Sequence, residues 1–187
     1  VEASIDSVAD IFRGAQRFLT IFRETDSYEN RVEDRYWGPI LDGGTEADYR
    51  WPEGSTPRVL FYMSMANRCL KDFVDHIGRL GLSAIGYVKN MPESERHMME
   101  SPTIRIHASP IDLSRAASEC DLAVTHGGLT TTTRLLLAGK PLLLCPEQLE
   151  QILLTYRLQK QGLCEFASFF DKNERVREKF DCMAASA

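Results

Sequence analysis

One stretch, residues 121–151, constrains the fold more than any other: DLAVTHGGLTTTTRLLLAGKPLLLCPEQLEQ. Leu122, Ala123 and Val124 form a short apolar run that reads as a buried strand. The run stops at Thr125-His126-Gly127-Gly128. A helical segment follows, then a second apolar run over 141–145. Strand, glycine turn, helix and strand make a βαβ unit, the building block of a parallel sheet. The glycines permit a sharp turn and close approach of the backbone to a ligand. A helix starting near Gly128 turns unpaired N–H groups and a positive dipole end toward the turn, which suits phosphate. His126 stands at the strand's carboxyl end, where α/β sheets bind ligands.

The same alternation runs through the preceding sixty residues. Strands are expected at 59–63, 83–88 and 103–107, the last toward an edge because only Ile104 and Ile106 are apolar. Leu70, Phe73, Val74, Ile77 and Leu80 recur at helical spacing, and Gly81 stops that helix. The charged connection 89–102 holds a possible helical turn. Asp112 is placed to cap a short helix over 113–117. Another helix is expected over 148–160, ended by Gly162, and a last one in the tail 171–187. The fold class is therefore α/β, a Rossmann-like doubly wound parallel sheet.

Residues 4–23 carry Ile5, Val8, Ile11, Phe12, Ala15, Phe18, Leu19 and Phe22 at intervals of three and four, which predicts an amphipathic helix with Gly14 as its weak point. The island 36–41 reads as a short strand. The segment 42–57, rich in Gly, Pro, Ser, Thr and acids, reads as a linker, with Trp51 packed on a domain surface.

A net charge of −5 argues against a nucleic-acid partner. Five widely spaced cysteines, none in a CxxC pair, indicate neither a disulfide framework nor a zinc site; a reducing, cytoplasmic setting is expected. No apolar run is long enough to span a bilayer. The chain opens on Val1 in what looks like mid-protein sequence, so a fragment is expected.

Around His126-Gly127-Gly128 the chain resembles the donor-binding half of two-domain glycosyltransferases of the GT-B fold, of the UDP-glycosyltransferase and macrolide-glycosyltransferase kind. The hydroxyl pair Thr131-Thr132, the turn Ala138-Gly139-Lys140-Pro141, then Pro146 and the acid-amide pair Glu150-Gln151 follow in the family's order. Upstream, Pro110 matches the loop that contacts the nucleobase, and Arg35 to Ile40 resembles the exit from the acceptor domain. The likeness covers most of residues 26–163.

This resemblance implies a remnant of the acceptor domain over 1–41, a linker over 42–57 and a donor-binding domain over 58–187. It implies hexosyl transfer from a UDP- or dTDP-sugar to a small-molecule or lipid hydroxyl, inverting and without a metal, with no separate cofactor. His126, Gly127, Gly128, Thr130, Thr131 and Thr132 would hold the diphosphate, and His126 would donate to it. Glu150 and Gln151 would hold the sugar, and Ala108, Pro110 and Ile111 would form the base loop. The general base would lie in an acceptor half outside this chain, so no catalytic residue is named. Arg134 stands where many relatives carry a glutamate that grips the ribose; arginine cannot accept a hydrogen bond, so ribose recognition must differ. Other readings are a donor-binding subunit that needs a separate acceptor chain, a non-catalytic nucleotide-binding fragment, and a nucleotide-sugar epimerase.

Overall fold

A computed structural model describes residues 7–8, 18–28, 31, 35–41, 48–168 and 170–187. Among them the strands are β1 (Ser55–Ser64), β2 (Leu82–Lys89), β3 (Ile104–His107), β4 (Leu122–Thr125), β5 (Leu142–Leu144) and β6 (Glu165–Phe166). The helices are α1 (Leu70–Arg79), α2 (Glu93–Met99), α3 (Leu113–Glu119), α4 (Leu129–Leu137), α5 (Leu149–Lys160) and α6 (Asn173–Ala184). The sheet order is β3-β2-β1-β4-β5-β6 and every pairing is parallel. This is the doubly wound order expected from the alternating pattern. β3 is an edge strand, as its sparse apolar content predicts.

Successive residues of β1 feed opposite layers. Val59, Phe61 and Met63 face a layer filled by Phe73, Val74 and Ile77 of α1 and Val176 and Phe180 of α6. Leu60 faces the other layer, with Ala116 and Ala117 of α3, Leu135 of α4 and Leu154 and Leu158 of α5. Phe61 meets Phe73 edge-on at 6.2 Å between ring centroids, and Phe73 meets Phe180 at 5.3 Å. Opposite Phe61 in the β1–β2 register is Gly86. A Cβ built there would fall 2.4 Å from two Phe61 ring carbons and 2.5 Å from the Phe61 carbonyl oxygen. The ring occupies the room that a side chain at 86 would need.

The amino-terminal helix expected over 4–23 is not borne out where it can be followed. Residues 9–17 lie outside the described residues. Leu19 instead makes a parallel bridge with Tyr36, and the Trp37 N–H donates to the Leu19 carbonyl at 2.9 Å. Phe22 is extended, and a 3-10 turn follows at Arg23–Thr25. Phe18, Leu19 and Phe22 fit one helix face equally well, but here the Leu19 backbone pairs with another segment. The expected strand over 36–41 is this single bridge. Gly38, at φ +81°, and Pro39, which has no N–H, end the pairing.

β1 starts at Ser55, within the stretch read as a linker. Before it, Tyr49 is buried and Trp51 packs on the second layer. One carboxylate anchors both. Glu119 Oε2 accepts from the Tyr49 hydroxyl at 2.9 Å and from Trp51 Nε1 at 2.8 Å, while Oε1 accepts from Arg115 Nε at 2.9 Å. The Arg115 hydrogen bond leads the effects that hold the Glu119 carboxyl below its ordinary range. Because the folded pKa is depressed, the stabilisation is present above the unfolded value and is lost as pH falls through the folded one. Glu119→Gln is expected to lower stability by about 1 kcal/mol at neutral pH. It should also flatten the acid limb of a stability–pH curve; identical acid limbs in parent and variant would remove the anchor role.

Two short elements differ from expectation in extent. The connection 89–102 forms the two-turn helix α2, none of whose residues is buried, so it carries no apolar stripe to read. β6 spans only Glu165–Phe166, too short for a periodic signal.

Candidate nucleotide-sugar site

The chain leaves β1 toward β2 on one side and β4 toward β5 on the other. The carboxyl ends of β1 and β4 therefore mark the switch point, where such sheets bind ligands. All four residues of β4 are buried, and they bring His126 to this rim. The His126 N–H donates to the Tyr62 carbonyl at 3.3 Å, and its Nδ1 lies 3.1 Å from the same oxygen. A carbonyl only accepts, so Nδ1 carries the proton and Nε2 is left for a ligand. Nε2 lies above Gly128, where a Cβ would sit 3.0 Å from it. Gly128 is the N-cap of α4 and contributes no side-chain cap. The first N–H groups of α4 therefore open beside Nε2.

Gly127 makes the turn. It adopts φ +80°, its N–H donates to Thr125 Oγ1 at 2.9 Å, and a Cβ there would meet Thr155 Oγ1 at 3.1 Å. Both the left-handed backbone and the close packing on α5 select glycine.

The three threonines expected at the diphosphate separate. Thr130 is exposed and Thr131 half-buried. Thr132 is 0% exposed, so its hydroxyl faces the interior and not the rim. One turn of helix carries consecutive residues around its axis, and Thr132 falls on the core side.

The acid-amide pair separates as well. Glu150 is exposed and, with Asp26, Tyr28 and Leu129, lines a cavity of about 200 Å³ between α5 and the amino-terminal segment. Gln151 is 7% exposed, and its Oε1 accepts from the N–H groups of Glu147 at 2.9 Å and Gln148 at 3.3 Å. That closes a capping box on α5 and commits the Gln151 oxygen to the backbone.

In the expected base loop, Ala108 and Pro110 are exposed after β3, whereas Ile111 is 0% exposed and belongs to the second core layer. Only its backbone can meet a base. Arg134 reaches Ser114 of α3 with Nη1 at 3.2 Å.

Two tyrosines at the rim were not singled out in the sequence. Tyr62, Tyr87 and His107 occupy one register row across β1, β2 and β3. The two tyrosine rings are 5.1 Å apart. Burial, reinforced by Arg105, pushes the His107 imidazole below its ordinary range and holds it neutral. The Ser64 hydroxyl donates to the Glu147 carboxylate at 2.8 Å, joining the turns after β1 and β5 across the end of β4. The only available signal was that both tyrosines stand near the ends of strand-like runs.

Among the described residues no cluster of three or more His, Cys, Asp or Glu could hold a metal ion, and no helix is long and apolar enough to cross a membrane.

No protein-family profile and no characterised protein sequence matches the chain. Solved structures do. The glycosyltransferase of kitacinnamycin superposes with a TM-score of 0.71 at 17% identity, over 90% of this chain and 46% of its own. The spinosyn rhamnosyltransferase SpnG complexed with thymidine diphosphate gives 0.66 at 17% identity, over 84% and 45%. The glycosyltransferase VinC in complex with dTDP gives 0.59 at 21% identity, over 71% and 34%. The chain thus has a fold found in glycosyltransferases, and it spans about half the length of the first of them or less.

Proposed function

We propose that this chain is the carboxyl-terminal, donor-binding part of a GT-B glycosyltransferase that takes a UDP- or dTDP-sugar. In this division, residues 1–41 end an acceptor half, 42–57 join the halves and 58–187 bind the donor. The observation that carries the proposal is His126: its Nδ1 is tied to Tyr62, and its Nε2 stands beside the open amino end of α4. Two structural relatives bind thymidine diphosphate, which fits a pyrimidine nucleotide here.

The chemistry follows from the geometry. Glycosyl transfer breaks the bond between the anomeric carbon and the diphosphate, and negative charge grows on the leaving oxygen. Fixed donors aimed at that charge stabilise the transition state more than the ground state. The first N–H groups of α4, the hydroxyls of Thr130 and Thr131, and His126 are placed to supply them. With Nδ1 already protonated, Nε2 of the neutral ring holds a lone pair and donates only as imidazolium. Glu150 orients sugar hydroxyls, and the loop at Ala108 and Pro110 meets the base. The acceptor hydroxyl, on a small molecule or lipid, would be deprotonated by a base of the acceptor half, whether fused or separate. A cytoplasmic setting fits the free thiols.

Calorimetric titration with dTDP and UDP tests this. Saturable binding by both is expected. Absence of binding by either diphosphate would sink the proposal.

A further inference from the structure

We propose that Cys69 and Cys145 are an oxidative modification site, closing a reversible disulfide when a peroxide reaches them. Cys69 is the N-cap of α1 and Cys145 directly follows β5. They stand 76 positions apart in sequence, yet one buried side chain bridges them. The buried amide of Asn67 holds both backbones: its Nδ2 donates to the Cys145 carbonyl at 2.8 Å, and its Oδ1 accepts from the Cys69 N–H at 3.0 Å. The pair is 4% and 2% exposed, but both residues line a cavity of about 320 Å³ with Arg68, Pro146 and Glu147. A peroxide is small enough to enter it.

The two thiols are not equivalent. The Cys145 thiol beside it and the Arg68 charge lower the Cys69 thiol, against the effect of burial. The neighbouring Cys69 thiol and burial push Cys145 well up. Burial raises Cys120 to about 11 and Cys164 to about 12, which leaves them poorly nucleophilic. Cys69 stands at the amino end of α1, where the helix dipole favours a thiolate, and is the attacking sulfur; Cys145 is the resolving one.

The steps balance. The Cys69 thiolate attacks a peroxide oxygen; an S–O bond forms, the O–O bond breaks, and the departing hydroxide takes a proton to become water. The Cys145 sulfur then attacks the sulfenic sulfur. The S–S bond forms, and the departing hydroxide carries off the Cys145 proton as a second water. Two thiols are oxidised and one peroxide is reduced to two waters. The product would tie the amino end of α1 to the turn that carries Glu147.

The test uses the whole chain. After treatment with hydrogen peroxide, remaining thiols are alkylated and the peptides are weighed without reductant. The Cys69 and Cys145 peptides are expected as one linked species that dithiothreitol separates. The unfolding midpoint should rise by about 5 °C over the reduced protein. In Cys145→Ser, Cys69 should pass on to sulfinic acid instead. Exposed Cys182 serves as the internal control for oxidant delivery. Oxidised Cys182 beside unlinked Cys69 and Cys145 peptides would overturn the proposal, as would a link that forms only in denaturant. Both readouts come from the parent protein, so poor folding of the serine variant does not obscure them. Nucleotide binding plays no part in either.

Discussion

His126→Ala is expected to weaken dTDP or UDP binding by about 10- to 100-fold, the size of a lost hydrogen bond to a charged partner. The nucleoside without its diphosphate should bind parent and variant alike, because the loss falls on the phosphates. His126→Gln separates hydrogen bonding from charge. Glutamine can offer an N–H near Nε2 but carries no charge, so part of the affinity should return. The fold should survive both changes, since His126 is only half-buried and the β4 ladder does not use its side chain. Equal dTDP and UDP affinities for parent and His126→Ala would remove the diphosphate assignment.

Gly86→Ala should destabilise the chain by about 3 kcal/mol, at the upper end for an overpacked core. That corresponds to a midpoint on the order of 10 °C lower in a thermal melt. The added methyl meets the Phe61 ring and the Phe61 carbonyl at distances that no side-chain adjustment alone can clear. Combining it with Phe61→Leu discriminates between the two. Removing the ring should restore only part of the stability, because the carbonyl belongs to β1 and cannot move without disturbing its pairing with β2. Full restoration would assign the whole clash to the ring. An unchanged midpoint for Gly86→Ala would show that the strands part easily there.

The order of strands and helices was legible because each is announced locally, by an apolar run or by helical spacing closed with glycine. Gly81 and Gly162 both adopt positive φ where a helix end was expected. The turn at His126-Gly127-Gly128 was legible for the same reason: its chemistry lies in consecutive residues. What sequence could not convey is which way a side chain faces once neighbours close around it. Thr132, Ile111 and Gln151 occupy motif positions, but one points inward, one fills the core and one caps a helix. Motif spacing carries none of that. Phe18, Leu19 and Phe22 failed differently: their spacing suits a helix, while Leu19 pairs with Tyr36, seventeen residues away. Tyr62 and Tyr87 become neighbours only through strand register.

The amino-terminal segment is gripped in an unusual currency. Arg157 of α5 donates from Nε to the Glu24 carbonyl and from Nη2 to the Arg23 carbonyl, each at 3.0 Å, and Gln161 Nε2 adds a third contact to Glu24 at 3.0 Å. Every acceptor is a peptide oxygen, a group that all residues share. The seam thus recognises a backbone path and is indifferent to the side chains that travel along it. A segment of foreign sequence that follows the same path would keep these three contacts.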